Sequence, residues 1–247
     1  MQVKDIRPKH VRQLRDKFVD TPSQADHLIT VLSSMLSWGV VDEWLEMNPC
    51  LGMRKLKFGC DGSYEAWDAG MVELFKRQSL PHMWWAAALA LYTGQRRADC
   101  LNMRWTDYRN GLLYVKQSKT KKRLGIPMHK ELAKVWEVLP RTSEYVLATT
   151  TGRQWTNGNF GTVWHRQMRR PEFASFREQR LTFHGLRHTA VNALLEAGCT
   201  TAQVQAITGQ TSEMVEHYAK QVDQEKLARQ AIAKVEGRER RAGRRTR

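Results

Sequence analysis

At 247 residues the chain is long enough for one large domain or two small ones, and 41% hydrophobic residues with nine Trp can fill a core. Forty Lys and Arg against 25 Asp and Glu give a formal net charge of +15, which favours polyanions as partners: nucleic acid first, an anionic membrane surface second. No apolar run approaches the ~20 residues of a membrane-spanning helix, and the N-terminal MQVKDIRPKH lacks the apolar stretch of a signal peptide. Cys50, Cys60, Cys100 and Cys199 are scattered, with no CxxC pair and no metal spacing with His. Reduced thiols in a cytoplasm, and no zinc site, are the expectation.

Residues 1–53 read as helical, with apolar residues at helical spacing in His10–Val19 and Ser23–Trp38. Thr21-Pro22-Ser23 is a helix start with Ser23 or Thr21 as cap, and Asn48-Pro49 closes the region. Lys55–Ser63 is basic, then Gly-rich, so 54–63 reads as a linker. A second region runs over 64–236. Asp68 caps a helix to about Gln78, and Leu80–Tyr92 is apolar nearly all round, as a buried helix is. Thr93-Gly94 ends it, and a short helix follows over Ala98–Asn102. Asn110-Gly111 is a hairpin signal between strands Trp105–Arg109 and Leu112–Gln117, and Arg123–Met128 adds a third strand after a polar turn. Helices are expected again at Lys130–Leu139, Asn159–Arg169, Phe183–Ala197, Ala202–Ile207, Ser212–Lys220 and Gln224–Val235. The tail 237–247 carries six Arg and one Glu and reads as solvated.

Several residues have the chemistry that metal-free phosphodiester exchange needs: a nucleophile, cations on the phosphate, an acid and a base. Thr93-Gly94-Gln95-Arg96-Arg97-Ala98-Asp99 puts an Arg after a tight turn at a helix start, where the helix dipole also favours an anion. His184 and Arg187 sit three apart on one helix face. Lys119 lies in a turn between strands, beside Lys121 and Lys122, which compete for any specific role. Tyr218 lies on a short helix near the end; a phenol with a pKa of about 10 needs activation before it attacks. Singly, each has an ordinary structural explanation.

Their order is more specific. TGxRxxD, a hairpin Lys, HxxR, then Gly209 followed by Tyr218 resembles the tyrosine recombinases of the phage integrase family, over about Tyr64 to Val235. Leu28–Pro49, with Trp38 and Asn48-Pro49, is similar to part of that family's core-binding domain. The resemblance implies an α+β, mainly helical fold: a catalytic domain with a small three-stranded antiparallel sheet at 64–236, preceded by a partial helical core-binding domain at 1–53. A complete core-binding domain has about four helices, so the chain is expected to be a truncated product or a piece of a longer integrase.

By the same resemblance, Arg96 and Arg187 clamp the scissile phosphate, Lys119 protonates the departing 5′ oxygen, and His184 is the acid/base partner near the nucleophile. Tyr218 attacks to leave a 3′-phosphotyrosine link, and Asp99 supports the site from behind. The link conserves phosphodiester energy, so no ATP, cofactor or metal is implied. The implied partners are double-stranded DNA attachment sites and further copies of the chain, as a tetramer on DNA, with room for an accessory DNA-bending protein and no membrane. The implied setting is bacterial or phage-encoded, cytoplasmic and nucleoid-associated. The pattern departs from the family where Gln210 stands in the place of a His, and the interval from Gln210 to Tyr218 is one residue shorter than usual. Gln can donate an N–H to a phosphate but cannot move a proton. An impaired integrase that only binds DNA, and a type IB topoisomerase with the same chemistry, are the alternatives.

Overall fold

The structure, a computed structural model, describes residues 2–56 and 64–219, together with isolated positions 229, 232 and 233. Most of the expected linker, most of the expected helix Gln224–Val235 and the basic tail lie outside the described residues. The chain divides into two compact units, Met1–Ser63 and Tyr64–Arg247.

In the first unit, α1 (Pro8–Asp16) and α2 (Pro22–Val41) each begin with proline at the first helical position. There the missing N–H costs nothing and φ is already helical. Thr21 occupies the N-cap position of α2 without a side-chain capping bond. Val11, Leu36, Leu45 and Cys50 form the small core. The buried Asn48 side chain donates to Ser33 O at 2.9 Å and Ser37 Oγ at 2.7 Å and accepts from Cys50 N at 2.9 Å, which fixes the turn before Pro49.

The second unit opens with α3 (Ala69–Gln78), whose N-cap Asp68 accepts from Met71 N at 2.7 Å. α4 (Pro81–Thr93) is buried through Ala86–Ala90, as its all-round apolar sequence requires, and ends at Gly94 in the left-handed region. α5 (Arg97–Leu101) follows. The sheet then forms in the order β1 (Tyr108–Arg109), β2 (Leu112–Lys116), β3 (Arg123–Pro127), all antiparallel. Asn110 and Gly111, at φ 53° and 76°, make the tight primed turn expected of that pair. The first strand starts later than the sequence suggests. Asp107 accepts from Arg104 N at 2.8 Å and winds Trp105–Asp107 into a 3-10 turn, leaving two residues for the ladder.

α6 (Lys130–Val138), α7 (Asn157–Met168), α9 (Gly185–Glu196), α10 (Thr201–Thr208) and α11 (Ser212–Ala219) correspond to expected helices. The sequence did not suggest α8 (Ala174–Glu178) or the 3-10 turn Pro171–Phe173 before it. That segment seats Phe173 and Phe176 among Trp67, Phe75 and Trp164, with ring centroids 5.0 to 5.9 Å apart across the contacts of Phe75 and Trp67 with the phenylalanines. Each buried ring is worth about 1.5–3 kcal/mol. A smaller core of Val191, Leu195, Val204, Val215 and Tyr218 joins α9, α10 and α11.

Candidate active site

Two helix ends frame the site. α4 stops at Gly94 (φ 63°) and α10 at Gly209 (φ 68°), both left-handed caps. They approach so closely that a Cβ on Gly94 would sit 2.8 Å from Thr208 Cγ2, and one on Gly209 2.7 Å from the Gln117 amide. Glycine is required there on both counts.

Arg187, in the first turn of α9, reaches between these ends and is 2% exposed. One guanidinium nitrogen donates to Gly94 O and the other to Thr208 O, the latter at 3.0 Å. Helix C-termini carry partial negative charge, so this burial of a cation is compensated. Burial, then the charge of Arg96, lowers the Arg187 pKa to about 10, which leaves it charged at neutral pH.

Arg96 is the N-cap of α5, and Asp99 lies in that helix's first turn. Asp99 Oδ1 accepts from Ser118 N at 2.7 Å, while its Oδ2 faces Arg96 Nη1 at 4.0 Å. That gap is too long for a hydrogen bond, and both atoms are buried without another partner. A buried guanidinium nitrogen in this condition has capacity for an incoming acceptor.

Tyr218 projects from α11 and is 2% exposed. Its hydroxyl lies 3.0 Å from His188 Nε2. Burial raises its pKa, and Arg187, the Gln210 side chain and Arg96 pull the other way. His184, at the N-cap of α9, packs on Tyr64 with ring centroids 4.6 Å apart and lies 5.5 Å from His188. Burial, then Arg187 and Arg96, lowers the His184 pKa to about 4. Burial, then His184, Arg187 and His217, lowers that of His188 to about 4. Both rings are therefore neutral at pH 7. The buried Gln210 accepts from Thr208 Oγ1 at 3.4 Å.

Of the residues singled out in the sequence, Arg96, Asp99, His184, Arg187, Gln210 and Tyr218 thus gather around the two helix ends. Lys119 is exposed in the hairpin turn. It is Lys122 that touches the site's backbone, donating to Gly209 O at 3.2 Å.

Sequence reasoning missed three residues. His188 is one. The others are Gln95 and Gln117, both buried. Gln117 Nε2 donates to Gln95 Oε1 at 2.7 Å and Thr208 O at 2.8 Å, and Gln95 Nε2 donates to Ile207 O at 2.9 Å. This amide pair ties the hairpin base to both turns. A signal for it existed: Leu113, Val115 and Gln117 alternate onto the buried face, and a polar residue there must find partners.

A family model described as the phage integrase family matches residues 72–225, well over half of the chain. The integrase of Enterobacteria phage 434 is 26% identical over 200 residues, which is 75% of this chain and 55% of that protein. The integrase of Escherichia phage lambda is 34% identical over 113 residues, 41% of this chain and 31% of that protein. The chain thus spans about half the length of the first of these relatives and about a third of the second. Among solved structures, a lambda integrase dimer bound to a COC′ core site superposes with a TM-score of 0.72 at 20% identity, covering 88% of this chain and 81% of that one. The integrase of transposon Tn1549 in complex with a circular intermediate DNA gives 0.71 at 15% identity, covering 87% and 82%. These last two likenesses concern the fold. With the family match over most of the second unit, the chain belongs to the phage integrase family, the site-specific tyrosine recombinases.

Proposed function

We propose that this chain cleaves and rejoins DNA at specific attachment sites through a 3′-phosphotyrosine link to Tyr218, for the integration or excision of a mobile element or prophage. The observation that carries this reading is a buried tyrosine hydroxyl set near two arginines, the buried Arg187 and Arg96, the latter with a buried guanidinium nitrogen that has no partner. In this reading Arg96 and Arg187 hold the phosphate as charge builds on its oxygens. Gln210 donates an amide N–H to the same group, His184 assists proton movement, and Lys119 swings in from its turn to protonate the 5′ oxygen. Asp99 orients Arg96. Residues 1–53 serve as part of a DNA clamp and residues 64–236 as the catalytic domain. The chain acts as a tetramer on two duplexes, with an accessory DNA-bending protein as a further partner, in a bacterial cytoplasm.

A covalent-trapping assay tests this. The full chain and Tyr218→Phe are mixed with duplexes from the flanks of its own gene and run on a denaturing gel. A denaturant-stable adduct with wild type alone is expected. An adduct that persists in Tyr218→Phe removes Tyr218 as nucleophile. Gln210 and the burial of Tyr218 favour a second reading, a protein that occupies DNA without cutting it. Salt-sensitive binding with no adduct would select that one.

A further inference from the structure

The Tyr218 hydroxyl rests against a side chain that none of the assignments above uses. His188 Nε2 is 3.0 Å from Tyr218 Oη, and the two rings meet edge to face with centroids 4.5 Å apart. Both residues are buried, at 4% and 2% exposure, so bulk water does not supply the partner for this hydroxyl. His188 lies one helical turn beyond His184 on α9, which aligns the two rings on one face. They nevertheless differ in what they touch: His184 packs against Tyr64, and His188 against both Tyr64 and Tyr218. Gln210, whose side chain also hydrogen-bonds Tyr218, is an amide and cannot accept a proton.

We propose that His188 is the base for the nucleophile, its Nε2 taking the phenolic proton of Tyr218 as Oη attacks phosphorus. The proposal rests on the reading of Tyr218 as nucleophile. In the step, the Oη–H bond breaks and its proton passes to Nε2 while the Oη–P bond forms. The P–O5′ bond breaks with its electron pair on the 5′ oxygen, which takes a proton from the general acid, Lys119 in this reading. On rejoining, the 5′ hydroxyl gives its proton back to the Lys119 amine as its oxygen attacks phosphorus, the Oη–P bond breaks with its electron pair on Oη, and the His188 imidazolium returns its proton to Tyr218.

The surroundings suit that cycle. His184, Arg187, His217, Tyr64 and Tyr218 surround the His188 ring, and burial and the charge of Arg187 keep the imidazole neutral and able to accept. A phosphodiester held between Arg96 and Arg187 adds a negative charge nearby, which stabilises the imidazolium when it forms.

Two measurements test the assignment. The first is the tautomer of His188 in the wild-type chain, read by nitrogen-15 NMR without DNA. A base needs Nε2 bare, so Nδ1–H is expected; an Nε2–H tautomer, donating to Tyr218, overturns the proposal. The second uses His188→Gln, which keeps a hydrogen-bonding group near Tyr218 Oη but cannot carry the proton. With duplexes from the flanks of the gene, adduct formation is expected to slow about 100-fold while DNA affinity stays within about twofold. Replacing Tyr218 by the more acidic difluorotyrosine in the His188→Gln chain should recover about tenfold or more, because an acidic phenol depends less on a base. A His188→Gln rate within about threefold of wild type, or a loss that difluorotyrosine does not recover, overturns the role. An adduct formed by Tyr218→Phe instead removes the underlying reading of the nucleophile.

Discussion

Asp99 Oδ1 accepts the Ser118 amide at 2.7 Å, so a carboxylate on α5 anchors the turn that carries Lys119. The same carboxylate faces Arg96 Nη1 at 4.0 Å. Asp99→Ala leaves the Ser118 amide without its acceptor and Arg96 without a facing carboxylate, and should destabilise the chain by about 1–3 kcal/mol in urea denaturation. Asp99→Asn retains the acceptor for Ser118 and should cost less stability, yet still slow adduct formation by weakening the hold on Arg96. Equal stability losses in the two variants would contradict this division.

Gly94 and Gly111 both have positive φ, 63° and 76°, but different neighbours. Nothing lies within 4 Å of a Cβ on Gly111, whereas one on Gly94 meets Thr208. Gly111→Ala should cost about 1–2 kcal/mol, the backbone strain alone. Gly94→Ala adds a clash between two helix ends and should cost roughly 3 kcal/mol or more, with loss of cleavage. Thermal melts of the two variants side by side check the difference.

Stability should fall on acidification. His184 and His188 have pKa values lowered from 6.5 to about 4 in the folded chain. The unfolded chain therefore binds more protons between those values, and stability rises with pH across the window. The contribution is complete above about 6.5 and is lost as pH falls towards about 4. Urea titrations from pH 4 to 7 should show this slope in wild type, and His184→Gln with His188→Gln should flatten it.

DNA affinity should be steeply salt-dependent, given a formal net charge of +15. A clamp that neutralises about six phosphates loses affinity about 1,000-fold between about 50 and about 200 mM salt. A slope near zero in fluorescence anisotropy would argue against a DNA clamp.

What the sequence made legible was local or ordered along the chain. Asp68, Asn110-Gly111, Gly94 and Gly209 act on their own neighbours, so their turns and caps can be read directly. Arg96, His184, Arg187 and Tyr218 stood out through their succession. The late start of β1 was hidden because Trp105 and Tyr108 suit strands, while the deciding bond runs from Asp107 to Arg104 N. Residues 171–178 are too short for a helical period, and their structure follows from the burial of Phe173 and Phe176 against distant rings. His188 was passed over because its meaning depends on Tyr218, thirty positions later and on another helix.

Arg187 has a structural employment beside the catalytic one proposed for it. Its bonds to Gly94 O and Thr208 O hold together the ends of α4 and α10 whether or not DNA is ever cut. A homologue without recombination activity would still have these two carbonyls to satisfy, while Lys119, exposed in its turn, would be free to drift. Across a set of homologues, an intact Arg187 would therefore say little about which still recombine, and the hairpin lysine would be the better witness.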